Sequence, residues 1–466
     1  MKIRMSYFRI DWTIVCTNVY AIVCAVAITV FMSGPAAIAA DQPGRIFDTE
    51  IENTIRLYAT PVLTAAGLDP ESVAIHIVNT PALNAFVSRG QNLFVTTGLL
   101  MATRHAGQLI GVMAHETGHI AGGHLARLDT LLRDSSGPAL LSNVVGIAVA
   151  VLSGQPAAVG AISGGAQQAL RRNVLSFARS HERSADRAAL AYLDSTHQSV
   201  RGLLEFLEIL DSEQSLIISR SRQQELSYDV THPLTRDRID FIRAHVAKSP
   251  YSDRKYPPSI TRAHQRMVAK LKGYLYPLGR TLQDYPPSDT SVPARYARAV
   301  AYYRHGDITT SLPMINELIA QAPGDPYFRE LKGEILFKNG RIAEALPPME
   351  LAVKALPKTP LLRISLAHAQ IELNRAELLK PAIRNLEMAL RVKRTMPIAW
   401  RLAATAYGRQ NRLGRSALAS AEYNLLIGRR KDAKRMAGRA QGILKRGSPG
   451  WLRAGDVINA VDRRKH

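Results

Sequence analysis

The stretch Gln108 to Leu125 reads QLIGVMAHETGHIAGGHL, and its reading organises the rest of the chain. It is apolar enough for a buried helix, yet it carries His115, Glu116 and His119 at its centre. Positions four apart on a helix lie one above the other on the same face. His115 and His119 can therefore point two imidazole nitrogens at one ion. Glu116 sits beside that face, close enough to reach a water on the ion. This H-E-x-x-H spacing is that of two zinc ligands and a general base. The bland alternative is two core histidines and a chance glutamate.

Zinc needs a third protein ligand. One arrangement extends the motif to H-E-x-x-H-x-x-G-x-x-H. Gly122 fits it, but the last position is Leu125 and His124 comes one residue early, so that arrangement is rejected. The remaining common solution is a glutamate on a later helix. The best candidate is Glu182, in Ser180-His181-Glu182-Arg183-Ser184-Ala185-Asp186. Glu182 and Asp186 are four apart and share a helix face. One can ligate zinc while the other accepts a hydrogen bond from a liganding histidine and fixes its orientation. The expected ligand set is His115, His119 and Glu182, with Asp186 behind it and one Zn2+ per chain as cofactor.

HETGH followed by the E-x-x-A-D of Glu182 to Asp186 resembles the integral and periplasmic zinc peptidases related to HtpX and the CAAX prenyl proteases. Thr231-His232-Pro233, with Arg238 six residues after His232, is a third match, and the resemblance spans roughly residues 84 to 238. It implies a zincin-like fold and a zinc metalloendopeptidase of the H-E-x-x-H-plus-glutamate type. Glu116 is its general base, and His232 and Arg238 are further candidate catalytic residues. The resemblance places His232 on a loop near the metal. There it fills the open coordination position and holds the enzyme idle, stabilises the transition state, or is a surface residue. Arg238 pairs with a substrate oxyanion or braces the loop.

At 466 residues the chain has room for two or three domains. Its net charge of +22 points to anionic partners. Lys2, Arg4 and Arg9 precede an apolar run from Thr13 to Met32, and Ser33-Gly34-Pro35 and Ala37-Ile38-Ala39-Ala40 follow. That is a secretory signal, cleaved after Ala39 or Ala40. The run is long, so an uncleaved membrane anchor is the alternative. Both cysteines, Cys16 and Cys24, lie in the signal, so a mature chain has no disulfide and no thiolate metal site. An exported protein meets no genomic DNA, which removes nucleic acid as partner. Peripheral contact with phospholipid or lipopolysaccharide phosphates, or a solvated face, accounts for the charge.

The expected fold is mainly α: a peptidase domain with a small β-sheet, then an α-solenoid of tetratricopeptide repeats. The signal occupies residues 1–40, the peptidase domain 41–270, a Pro-rich linker 271–292 and the repeats 293–466. A helix is expected from Phe47 to Ala66 and a strand from Val73 to Val78. Asn84–Val87 and Asn92–Thr96 form a hairpin around Ser88-Arg89-Gly90-Gln91. Leu93–Thr96 is assigned as the edge strand that holds an extended substrate, or else an ordinary structural strand. Residues 135–170 carry no charge, which suits a helical loop touching a membrane or covering the groove, or a buried helix hairpin. Beyond the linker, Pro293, Pro326 and Pro360 recur near 34 residues, and Pro397 follows slightly later. Gly306 and Gly340 keep that phase, with Asn374-Arg375 and Asn411-Arg412 at similar turns. This is the tetratricopeptide period. Four units are expected, with a fifth candidate from Arg430 to Arg446. Stacked units leave a concave binding surface.

The order of signal, zinc peptidase and repeats is similar to that of periplasmic peptidases of outer-membrane protein quality control. That resemblance implies misfolded or stalled outer-membrane proteins as substrates, with repeats docking the client or the barrel-assembly machinery. The competing class is a chaperone or scaffold that works through its repeats, with peptidase activity latent.

Overall fold

Local sequence rules set most of the elements. The computed structural model describes residues 44–88, 91–124, 165–218, 232 and 234–463, with backbone only at 165–178 and 213–218. The signal with its two cysteines, residues 135–164 of the uncharged stretch, residues 219–230, Thr231 and Pro233 lie outside the described residues.

Helix α1, Thr49–Ala65, starts where Asp48 accepts a hydrogen bond from the Ile51 amide at 3.0 Å. Its apolar stripe of Ile51, Ile55, Tyr58 and Val62 faces the core. Four short strands follow the alternation of the sequence: β1 (Arg45–Ile46), β2 (Ala74–Val78), β3 (Ala85–Ser88) and β4 (Asn92–Thr96). Their order is β1-β2-β4-β3, with β2 and β4 parallel and the other two pairs antiparallel. The expected hairpin is present, but the edge assignment is corrected. Leu93–Thr96 belongs to β4 inside the sheet, and β3 is the outer strand. The cause is the parallel pairing of β4 with β2, a long-range contact that hairpin periodicity does not encode.

Helix α2 (Thr97–Ala102) leads into α3 (Ala106–Ala121), which carries HETGH. Against α3 pack α4 (Gly165–Ser195) and α5 (Arg201–Ile218). Small residues set how closely they approach. A Cβ at Gly111 would come 2.7 Å from the Leu203 backbone on α5, and one at Gly118 would come 2.9 Å from the Ala185 carbonyl on α4. Gly118 and Ala185 are the small residues inside HETGH and ERSAD. Their contact brings the two histidines of one helix within reach of the carboxylates of the other. Then come α6 (Arg236–Val246), α7 (Pro258–Leu275) and α8 (Leu278–Asp284). The stretch expected as a linker, 271–292, holds the end of α7 and all of α8, and α7 packs along the first repeat helix.

Five helix pairs follow: α9/α10 (Val292–Arg304, Ile308–Gln321), α11/α12 (Pro326–Lys338, Ile342–Ala355), α13/α14 (Pro360–Glu372, Ala376–Val392), α15/α16 (Pro397–Arg409, Leu413–Leu426) and α17/α18 (Arg430–Ile443, Pro449–Asp462). Proline opens α11, α13 and α15 at the position where a missing N–H costs nothing. The turns inside the first four pairs pass through left-handed Gly306, Gly340, Asn374 and Asn411, the residue types that adopt this conformation most readily. The apolar faces of neighbouring pairs are buried against one another, as in a solenoid. No helix among the described residues is long and apolar enough to cross a membrane.

Candidate metal centre

His115 and His119 lie on the buried face of α3, with Nε2 atoms 3.1 Å apart. Glu182 on α4 reaches both, Oε2 at 3.3 Å from His115 Nε2 and Oε1 at 3.2 Å from His119 Nε2. His232 completes the group: its Nδ1 is 3.1 Å from Glu182 Oε1 and 3.4 Å from His115 Nε2. One ligand atom from each of the four residues lies within 4.8 Å of all the others, and all four residues are buried.

The outer nitrogens decide what the inner ones present. His115 Nδ1 is 2.9 Å from Asp186 Oδ1, so its N–H faces the carboxylate and its Nε2 lone pair faces inward. His232 Nε2 donates to the Ala85 carbonyl of β3 at 3.1 Å, so its Nδ1 lone pair also faces inward, against a carboxylate. His119 Nδ1 is held 2.9 Å from His124 Nδ1. Lone pairs thus converge on a carboxylate in a dry place, and a cation resolves that arrangement. The donor set suits zinc. Tetrahedral zinc with bonds of about 2.0–2.1 Å needs ligand atoms about 3.3–3.4 Å apart, close to the separations found.

Arg238 lies behind the carboxylates. Its Nε and Nη2 hold the two oxygens of Asp186 at 2.7 and 2.9 Å, and its Nη1 is 2.9 Å from Glu182 Oε2. Of the two readings open to Arg238, this geometry favours the brace, applied to the ligand helix rather than to a loop. Glu116 is fully buried and neither of its oxygens accepts a hydrogen bond. His232 Nε2 lies 3.4 Å from its Oε1.

The electrostatics follow from this packing. Burial pushes the Glu116 carboxyl up, opposed by His232 and His115. Burial would raise the Glu182 carboxyl too, but His232, His115 and His119 hold it well below its ordinary value. Burial acts to lower the His115 imidazole, yet Asp186 and Glu182 push it up to about 10. His119 goes the other way, lowered by burial to about 3 despite Glu182.

Residues 48–246 match the model of peptidase family M48. Over these residues the chain is similar to that family. The Beta-barrel assembly-enhancing protease of Yersinia pestis is 25% identical over 393 residues, covering 80% of this chain and 75% of its own. The protein of the same name in Escherichia coli (strain K12) is 24% identical over 384 residues, with the same shares covered. Among solved structures, MamA MSR-1 C2 aligns with 36% of the chain and 95% of its own at 20% identity, with a TM-score of only 0.31. The match and these relatives support a metallopeptidase, and the buried His/Glu group can hold a metal.

His124 and His181 were passed over by the sequence reading. His124 was set aside because it misses a ligand spacing. The signal lay in Gly122-Gly123, which ends α3 and turns the next side chain back under the last helical turn.

Proposed function

We propose that the chain is a zinc endopeptidase of the periplasm that degrades misfolded or stalled outer-membrane proteins, with repeats that hold the client or the assembly machinery. The observation that carries the peptidase reading is the four-donor cluster with a hydrogen-bond-free, buried Glu116 beside it. The exported location rests on the signal read in the sequence, and the substrate class on the similarity to the two assembly-enhancing proteases.

His115, His119 and Glu182 are the resident ligands in this reading. Bound there, zinc supplies a Lewis acid that polarises the scissile carbonyl and lowers the pKa of a water. Glu116 takes the proton of that water and returns it to the leaving amine. Its raised pKa suits both transfers, since a general base works best near the operating pH. Asp186 orients His115, and Arg238 holds Asp186 and Glu182 in place. A catalytic zinc site keeps one position for water or substrate; were zinc held by His115, His119 and Glu182, His232 Nδ1 would be the group beside that position. His232 therefore holds the enzyme idle and must leave before substrate is cut. Its other nitrogen is bonded to Ala85 on the outer strand β3. An extended substrate that adds to β3 by main-chain hydrogen bonds displaces His232 from that carbonyl.

A cavity of about 560 Å³ on the repeats supports client binding. Phe337, Met349, Leu362, Met396 and Ile398 line it, together with Phe47, which directly precedes the peptidase helix α1. The place of His232 favours one second reading, in which the repeats act as chaperone or scaffold and proteolysis stays latent.

Zinc content and cleavage of a denatured outer-membrane protein by the chain lacking residues 1–40 test the proposal together. One zinc per chain and cleavage are expected, and Glu182→Ala should lose both. Full zinc retention in Glu182→Ala removes Glu182 from the ligand set.

A further inference from the structure

Behind His119 stands not a carboxylate but another imidazole. Gly122 and Gly123 end α3, and Gly123 takes a left-handed φ of 60° that only glycine adopts without strain. The chain reverses there and His124 returns beneath the last turn, buried, with its ring perpendicular to that of His119. The fit leaves no room at Gly122, where a Cβ would come 2.3 Å from His124 Nε2. On its far side the His124 ring meets His181, the residue before Glu182, with ring centres 4.1 Å apart. Three features of the sequence, Gly122, Gly123 and the His181–Glu182 pair, thus fix one imidazole in one place.

We propose that His124 is a positioning residue for the metal centre, which fixes the tautomer and ring orientation of His119. The inference rests on the reading of His119 as a metal ligand. Two imidazole nitrogens 2.9 Å apart share one proton. A histidine that ligates through Nε2 is neutral and carries its proton on Nδ1. His119 therefore donates from Nδ1, His124 accepts with its own Nδ1, and the His124 proton sits on Nε2. Histidine ligands commonly donate their second N–H to a carboxylate, a carbonyl or water. Here His115 Nδ1 lies 2.9 Å from the Asp186 carboxylate, and His119 donates to a neutral ring. Among the described residues the partner of His119 Nδ1 is His124, which carries the orientation of His119.

The test compares His124→Leu and His124→Asn, because the amide oxygen of Asn takes the place of an imidazole Nδ1 acceptor. Zinc affinity is measured by competition with a chromophoric chelator, and the unfolding midpoint of the metal-free chain is followed alongside. Leu should weaken zinc binding about 10- to 100-fold, with Asn recovering most of the loss and metal-free stability alike in both. Wild-type affinity in His124→Leu, or equal losses in Leu and Asn, overturns the proposal. Should the variants not fold, nitrogen-15 spectra of the zinc-loaded wild-type chain decide it. His124 is expected as the Nε2–H tautomer, and a proton on its Nδ1 overturns the assignment. A wild-type chain that binds no zinc at all instead sinks the peptidase reading. Zinc binding that depends on His119 but ignores His124 sinks this inference alone.

Discussion

Two buried polar clusters share the same kinds of residue and use them in opposite ways. One is the metal centre. The other joins the start of α1 to α7 and the first repeat helices. There Glu50 is met by Arg266 at 2.8 Å, by Lys270 at 3.5 Å and by the Tyr296 hydroxyl at 2.8 Å. Lys270 also pairs with Asp48 at 2.7 Å, and the Arg266 guanidinium lies 4.3 Å from the centre of the Phe328 ring. At this junction cations already stand among the anions, so the cluster closes on itself. At the metal centre, lone pairs and carboxylates point at a common place, and Glu116 has no hydrogen bond. Buried polar groups are normally satisfied. Glu330 Oε2 at the junction is unsatisfied as well, so it is the converging donor set beside Glu116 that marks the site rather than a brace.

The sharpest way to break this contrast is Glu116→Gln. Loss of the general base should lower cleavage of denatured protein about 100- to 10,000-fold. Zinc content should stay at the wild-type level, and the unfolding midpoint should not fall, because the change removes a buried charge that makes no hydrogen bond. Undiminished cleavage would remove Glu116 as the base, and lost cleavage with undiminished support of outer-membrane assembly would move the function to the repeats. At the junction the same kind of change should do the reverse. Lys270→Met leaves Asp48 and Glu50 short of a cation in a buried place and should cost about 3–5 kcal/mol of stability. Urea unfolding reads that loss, while zinc per folded chain is unchanged. An unaltered midpoint would mean that the junction is as forgiving as a surface.

A smaller effect sharpens the contrast inside the metal centre. His232 is the one of the four donors that the peptidase reading requires to leave. His232→Ala should therefore raise basal casein cleavage several-fold with zinc retained, whereas the same change at His115 or His119 should lose the metal. Unchanged or lower cleavage assigns His232 another part in the reaction.

The sequence made these two regions unequally legible. HETGH is a local pattern: a spacing of four on a helix puts both rings on one face whatever surrounds it. Glu182 needed a second helix and a search by chemistry, and only the structure shows that Gly118 and Ala185 let the two helices touch. The repeat phase was legible because left-handed turns demand Gly or Asn and helix starts tolerate Pro. Strand order was not, since nothing local in β4 announces its parallel partner β2. The junction was invisible for a different reason. Asp48, Glu50, Arg266 and Lys270 read as ordinary solvated charges until distant helices are brought together, and the Pro-rich stretch from Tyr276 looked like a spacer although α8 lies within it.

The smallest effect concerns Glu330, the junction residue whose charge is least provided for. Its Oε1 accepts from the Thr49 hydroxyl at 2.6 Å, and its Oε2 is buried without a hydrogen bond. Burial raises its carboxyl from 4.5 to about 8, with Lys270 pulling down and Asp48 and Glu334 pushing up. The unfolded chain ionises this group near 4.5, so between about 4.5 and 8 the folded chain holds a proton that the unfolded chain has lost. Stability falls with pH wherever the folded state binds more protons. The junction is thus tightest on the acid side of that window and loosens as pH rises through it. Glu330→Gln keeps the shape and removes the titration. Its stability should exceed the wild type at the upper end of the window and fall less steeply with pH, by less than one proton in slope. Parallel pH profiles for the two chains would show that Glu330 is ionised throughout, with Lys270 close enough to hold the charge, and the junction would then be as self-contained as its other ion pairs.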